Sequence, residues 1–253
     1  MKLFFKLGIT CTLLIVAASC EQDELPESQS ADGFRIKSTI SNGRLNSVYK
    51  YNQQGDIAEW EDLYFYDRYI YDDEERLIRR ESAVDPMTLA AVATEKTILM
   101  TSDNATISSY QTFDYNSEGQ LAEVGTYVEK EGVFALRSMR TFEHQGGYIV
   151  RENLHDENGE ITQFRIYEYD SRGNVQKEVY YSLLLTQEPE LINEVTFSYD
   201  NKRNPFTIFK ALGTPGLFTN TNNIMEASTT YLYNQYNYPV KVVHGNSEVE
   251  YKY

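Results

Sequence analysis

Tyr167-Glu168-Tyr169-Asp170-Ser171-Arg172-Gly173-Asn174-Val175 is the stretch of this chain whose reading decides the fold. Its order is aromatic, any residue, Tyr, Asp, two polar residues, Gly, any residue, apolar. Alternation along an extended strand puts both rings of Tyr-x-Tyr on one face. Asp opens a turn by bonding its own backbone two residues on. Gly takes the left-handed position of a type I turn with a bulge. The bulge sets two residues against one and so returns the apolar residue to the face of the second Tyr. The unit predicts a β-hairpin.

Further copies lie on both sides. Tyr49-Lys50-Tyr51-Asn52-Gln53-Gln54-Gly55-Asp56-Ile57 and Phe113-Asp114-Tyr115-Asn116-Ser117-Glu118-Gly119-Gln120-Leu121 keep every feature. Weaker copies start at Tyr69, Phe142, Asn153, Phe197 and Tyr231, and the chain ends on Tyr251-Lys252-Tyr253. In these copies His144 and His155 stand in the Tyr slot, while Glu75, Arg203 and Asn237 stand in the Gly slot. Asn suits left-handed geometry; Glu75 and Arg203 do not, so their turns are expected to differ. The expected fold is all-β, a single domain made of a long antiparallel meander of hairpins, forming either a curled sheet or a closed barrel with Tyr rows inside. Three segments break the rhythm. Residues 84–95 read as a short helix or as a loop feeding a strand at 96–102. Residues 184–190 read as a long hairpin loop, and residues 201–227 as an irregular insertion packing on the sheet.

Charge and composition narrow the function. The chain has 253 residues, 38 acidic and 23 basic, for a net charge of −15. That argues against nucleic acid, which needs clustered Lys and Arg to displace counterions, and against electrostatic attraction to anionic lipid. The 21 Tyr and 12 Phe argue against disorder, because they can bury ample apolar surface. The two cysteines, Cys11 and Cys20, both lie near the N-terminus, so the body holds no disulfide framework and no thiol nucleophile.

Residues 1–19 read as a secretory signal, with Lys2 and Lys6 before an apolar run that is too short to span a membrane. Val16-Ala17-Ala18-Ser19-Cys20 resembles a bacterial lipobox. That resemblance implies lipidation of Cys20 and an outer-membrane anchor held by several acyl chains. Glu21, Gln22, Asp23 and Glu24 follow. This acidic cluster resembles the surface-export signal of Bacteroidota lipoproteins, and implies exposure at the cell surface. Residues 20–33 then form the lipidated Cys and a flexible acidic tether, and 34–253 the folded domain.

The hairpin unit resembles the YD repeats of Rhs-type proteins. The lipobox, the Tyr-Asp/Asn hairpins, Asn204-Pro205-Phe206 ahead of Asn222-Asn223, and Asn237-Tyr238-Pro239 together resemble a family of Bacteroidota YD-repeat lipoproteins of unknown function. The resemblance implies an antiparallel meander curling towards a porin-like barrel. It carries no active site.

No G-x-S-x-G, H-E-x-x-H, Walker or G-x-G-x-x-G motif is present. No cofactor or metal is expected, and the acidic runs Asp72–Glu75 and Asp156–Glu160 read as solvated turns. The densest aromatic stretch runs from Trp60 to Tyr71. Read as one strand, it puts Leu63, Phe65, Tyr69 and Tyr71 on the core face and Trp60, Tyr64, Tyr66 and Ile70 on the other. Trp60, Tyr64 and Tyr66 are therefore the candidate ligand-binding residues, forming an exposed aromatic platform, unless the 201–227 insertion covers them. The leading expectation is a non-enzymatic, surface-tethered binding or scaffold lipoprotein, with a glycan, peptide or envelope-protein ligand. The alternatives are a polysaccharide hydrolase with paired carboxylates and a membrane-inserted porin-like barrel. Charged residues between the aromatics, as at Glu168 and Lys252, speak against the barrel, because its outer face must be apolar.

Overall fold

The computed structural model describes residues 34–84, 98–184 and 188–253. The signal segment, Cys20 and the tether lie outside the described residues, as does most of the 84–95 segment. Residues 98–102 are not a strand.

Within this range the chain is almost entirely β. The first seven strands are β1 (Ser38–Ser41), β2 (Arg44–Tyr51), β3 (Ile57–Asp62), β4 (Phe65–Tyr71), β5 (Leu77–Val84), β6 (Ser109–Tyr115) and β7 (Leu121–Lys130). Then come β8 (Val133–Gln145), β9 (Tyr148–His155), β10 (Ile161–Tyr169), β11 (Val175–Ser182) and β12 (Glu190–Thr196). The 201–227 insertion holds β13 (Tyr199–Arg203), a 3-10 helix (Pro205–Leu212) and β14 (Asn222–Ile224). The last strands are β15 (Thr229–Tyr233), β16 (Pro239–His244) and β17 (Ser247–Lys252).

Fifteen strands form one antiparallel sheet in the order β12 back to β1, then β17, β16, β15. The sheet does not close into a barrel. Its edges are β12 and β15, and the chain crosses from one to the other through the insertion, where β13 and β14 pair only with each other.

The repeat turn has the expected geometry. Gly173 has φ 86° and donates to the Asp170 carbonyl at 3.1 Å, while Asp170 N–H donates to the Asn174 carbonyl at 2.9 Å. The Asp170 side chain accepts from the backbone N–H of Arg172 and of Asn174. The same bonds recur at Asn52, Asn116 and Asp156. Register shifts fall beside the second aromatic, pairing Tyr51 with Ile57, Tyr115 with Leu121 and Tyr169 with Val175. One expectation is corrected. Glu75 does not change its turn: at φ 61° it takes the glycine's left-handed position, and its N–H donates to the Asp72 carbonyl at 3.1 Å. The Asp72 bonds and the Arg76 ion pairs hold the turn in place of glycine. Asn237 does the same at φ 66°. Arg203, by contrast, lies in β13, with no such turn around it.

The inner face of the sheet is layered. Nearest the turns, the second aromatic of several units donates its hydroxyl to the preceding hairpin. Tyr71 reaches the Ile57 carbonyl, Tyr115 that of Leu77, Tyr169 that of Ile149 and Tyr253 that of Pro239, at 2.7–3.0 Å. His144 replaces Tyr in this row, its Nε2 lying 2.7 Å from the Leu121 carbonyl. A second layer is the buried aromatic row Tyr49, Tyr69, Phe113, Phe142 and Tyr251. Phe209 and Leu212 of the 3-10 helix press into it. Asn204 caps that helix by accepting from Phe206 N–H. Buried asparagines then bind the insertion to the sheet: Asn220 Oδ1 accepts from Val175 N–H at 2.8 Å, and Asn174 exchanges bonds with Asn222. The insertion therefore packs on the sheet as its irregular sequence predicted.

Candidate functional site

The three aromatic candidates do not assemble. Trp60 pairs in register with both Tyr49 and Asp67, so it sits on the inner face with Phe65 and Tyr69. Its ring centroid lies 4.9 Å from that of Phe209 and 4.7 Å from that of Phe65, under the 3-10 helix. Tyr66 pairs with Glu61, on the opposite face, and is 2% exposed. Tyr64 lies in the turn between β3 and β4 and is 43% exposed. The expectation of one shared face is corrected, and the reason is local. Residues 60–71 are not one strand. Asp62 Oδ1 accepts from Tyr64 N–H at 3.0 Å and reverses the chain there, which breaks the alternation.

The outer face carries charge. Lys50 pairs with Glu59 at 2.8 Å and Glu61 at 2.5 Å, Arg68 pairs with Glu81, and Arg79 reaches Glu81 at 2.9 Å. A hydrocarbon environment is a poor solvent for such a ladder.

A third layer of the inner face holds the chemistry. Two residues before five of the leading aromatics, alternation places a polar side chain inward: Ser47, Asp67, Gln111, Arg140 and Arg165. On the β2–β7 side each of these residues bonds a side chain of the neighbouring strand, although the buried Arg80 Nε has no partner among the described residues. Ser47 donates to Asp62 at 2.6 Å, and burial pushes the Asp62 carboxyl up against the hydrogen bond from Ser47. Asp67 accepts from Ser82 at 2.6 Å and from Arg80 at 2.7 Å. Gln111 donates to Thr126 at 3.2 Å.

On the β8–β11 side the same layer opens into a pocket of about 240 Å³, whose lining includes Arg140, Glu152, Leu154, Gln163, Arg165 and Tyr180. Glu152 pairs with Phe142 in β8 and with Arg165 in β10, which puts it on the inner face. It is 5% exposed. One of its oxygens accepts from Arg140 at 3.2 Å and the other from the Tyr167 hydroxyl at 2.8 Å. Burial and the neighbouring Glu152 charge push the Tyr167 hydroxyl far above its ordinary pKa, so it remains a donor. Arg140 also donates to Thr214 of the insertion at 2.9 Å, which ties the pocket wall to the crossing segment. Arg165 lies 3.4 Å from Glu178 and 5.2 Å from the Tyr180 ring centroid.

This set offers guanidinium and amide donors, amide and hydroxyl acceptors, and one ring face. Among the lining residues Glu152 is the sole carboxylate. Glycoside hydrolysis by the usual route needs a second at roughly 5–9.5 Å. His155, in the Tyr slot of β9, bonds Thr141 at 2.9 Å and the Gly159 carbonyl at 3.1 Å. Among the described residues no group of three or more His, Cys, Asp or Glu could hold a metal. The sequence reading missed every pocket residue. The signal was present in the basic residues two before Phe142 and Tyr167, at positions where Tyr49, Tyr69 and Phe113 are preceded by Ser47, Asp67 and Gln111.

No family model and no curated protein matches the chain. Solved structures do. A protein of unknown function from Bacteroides fragilis is 13% identical with a TM-score of 0.37, over 52% of this chain and 91% of its own. A porin-like protein from Bacteroides uniformis is 10% identical with a TM-score of 0.36, over 86% of this chain and 97% of its own. TcdB2-TccC3-TEV is 13% identical with a TM-score of 0.26, over 79% of this chain and 10% of its own. At these levels none bears on what the chain binds.

Proposed function

We propose that the protein is a non-catalytic binding scaffold, tethered to the outer membrane through lipid on Cys20 and displayed at the cell surface, with its ligand site in the β8–β11 pocket. The observation that carries this reading is the contrast along one layer of the sheet. From β2 to β7 the inward polar side chains are bonded to neighbours in a packed layer, whereas at β8–β11 Gln163 and the half-exposed Arg165 line an open space beside the bonded Arg140–Glu152–Tyr167 set. A pocket with a few convergent polar groups and a ring is a natural site for a small polar ligand. The tether rests on the lipobox and the acidic residues behind it.

A glycan array tests the site. Wild-type protein is expected to give a signal that is lost in Gln163→Ala/Tyr180→Ala, with unchanged far-UV circular dichroism. A signal that survives this double substitution contradicts the assignment. The tether has its own test: Cys20→Ala should release the protein from the membrane fraction, and retention there would contradict it.

A further inference from the structure

The pocket differs in charge from the chain that builds it. The chain carries −15, yet the lining has two guanidiniums and one carboxylate. These groups are not equally engaged. Both oxygens of Glu152 accept bonds from protein donors, and Arg140 is held between Glu152 and Thr214. Arg165 makes one longer ion pair, at 3.4 Å, and its side chain remains 41% exposed. Among the described residues the Gln163 amide has no hydrogen-bond partner, although it lines the same space. The Tyr180 ring borders it.

The backbone decides what kind of ligand these groups suit. Strands β9 and β10 are paired on both sides, so their N–H and C=O groups are used in the ladder. A peptide must have its own backbone groups satisfied, and it would find no free strand edge here. A sugar asks only for side chains: a ring face to cover its C–H surface, and donors and acceptors for its hydroxyls. A guanidinium fork adds a match for a carboxylate. The volume, about 240 Å³, suits one sugar residue rather than several.

Resting on the reading of this pocket as the ligand site, we propose that it takes a uronic-acid residue of an acidic polysaccharide. The carboxylate sits on Arg165, the sugar face on Tyr180, and a hydroxyl on the Gln163 amide. The positive lining offsets the repulsion that an anion meets from so acidic a chain.

Isothermal titration of the full-length protein in detergent tests this, using a tetrauronide and its carboxyl-reduced neutral twin as probes. The acid is expected to bind at least tenfold more tightly than the twin. Arg165→Gln should abolish that preference, and Arg165→Lys should keep part of it, because a point charge remains without the fork. Since Arg165 is half-exposed and its ion pair with Glu178 is long, both variants should fold, which their thermal midpoints check. Equal binding of acid and twin, with both lost in Gln163→Ala/Tyr180→Ala, would overturn the uronate while leaving the pocket as the ligand site. Tight uronide binding untouched by any of these substitutions would overturn both. Absence of uronide binding would overturn the proposal outright.

Discussion

At the scale of single residues the repeat turn sets the terms. Gly173 has φ 86°, and a β-carbon there would also come 3.0 Å from the Tyr148 hydroxyl. Gly173→Ala should cost about 1–2 kcal/mol, the usual penalty for left-handed geometry in an L-residue. Glu75 provides the converse case, since it bears that strain at φ 61° in an exposed turn. Glu75→Gly should therefore stabilise the protein, by roughly 0.5–1 kcal/mol once glycine's extra unfolded-state freedom is subtracted. Urea denaturation reads both, and a loss on Glu75→Gly would contradict the turn assignment. The turn carboxylate has a pH signature. Burial works against the Asp170 charge, but bonds from the Asn174 side chain and from Asn174 and Arg172 N–H outweigh it and hold its pKa down to about 2. A depressed carboxyl stabilises the fold above its unfolded value, and that gain is lost as pH falls through the folded value. Thermal midpoints should thus drop between about pH 4 and pH 2. Asp170→Asn should flatten this limb without unfolding the protein, since Asn fills the same slot at Asn52 and Asn116. An unchanged limb in the variant would contradict the assignment.

At the scale of elements, the hairpin was fully legible in Tyr167–Val175, because alternation, Asp and Gly all pointed to one geometry. The hydroxyl row was not, since it depends on which carbonyl of the neighbouring strand each Tyr reaches. Tyr71→Phe removes a 2.9 Å bond to the Ile57 carbonyl and should cost about 1 kcal/mol in urea denaturation. A neutral result would mean that the row contributes packing alone. The failure at Trp60 has a physical cause that a period-two reading cannot detect. Asp62 captures the Tyr64 N–H and turns the chain inside an aromatic run that contains no Gly or Pro. Trp60 is the chain's single Trp, so its fluorescence reports the cover provided by the 3-10 helix. Phe209 is fully buried and lies against Trp60, Tyr49 and Phe218. Phe209→Ala should cost about 3–5 kcal/mol and should shift Trp60 emission to the red. An unshifted spectrum would place Trp60 outside that cover.

At the scale of the whole molecule, twelve strands are laid edge to edge, the chain then crosses their inner face, and three more strands join the sheet beside β1. The all-β meander followed from the repeat. The choice between curled sheet and barrel did not, because it depends on where β15 goes after the insertion: it pairs with β16 rather than with β12, so both remain edge strands. The candidate site was legible only in retrospect. Arg140 and Arg165 stand two residues before a repeat aromatic, which makes them inward-facing charges. The sequence alone does not reveal that Glu152 and the crossing segment would hold one of them and leave the other open. The central claim is that ligand enters between β8 and β11 and not at the Trp60 strand. Amide chemical-shift mapping with the strongest array ligand tests it most directly. Shifts concentrated at Arg140, Glu152–Leu154, Gln163–Arg165 and Tyr180 are predicted. Shifts centred on Trp60–Tyr66, with the β8–β11 amides unmoved, would contradict it.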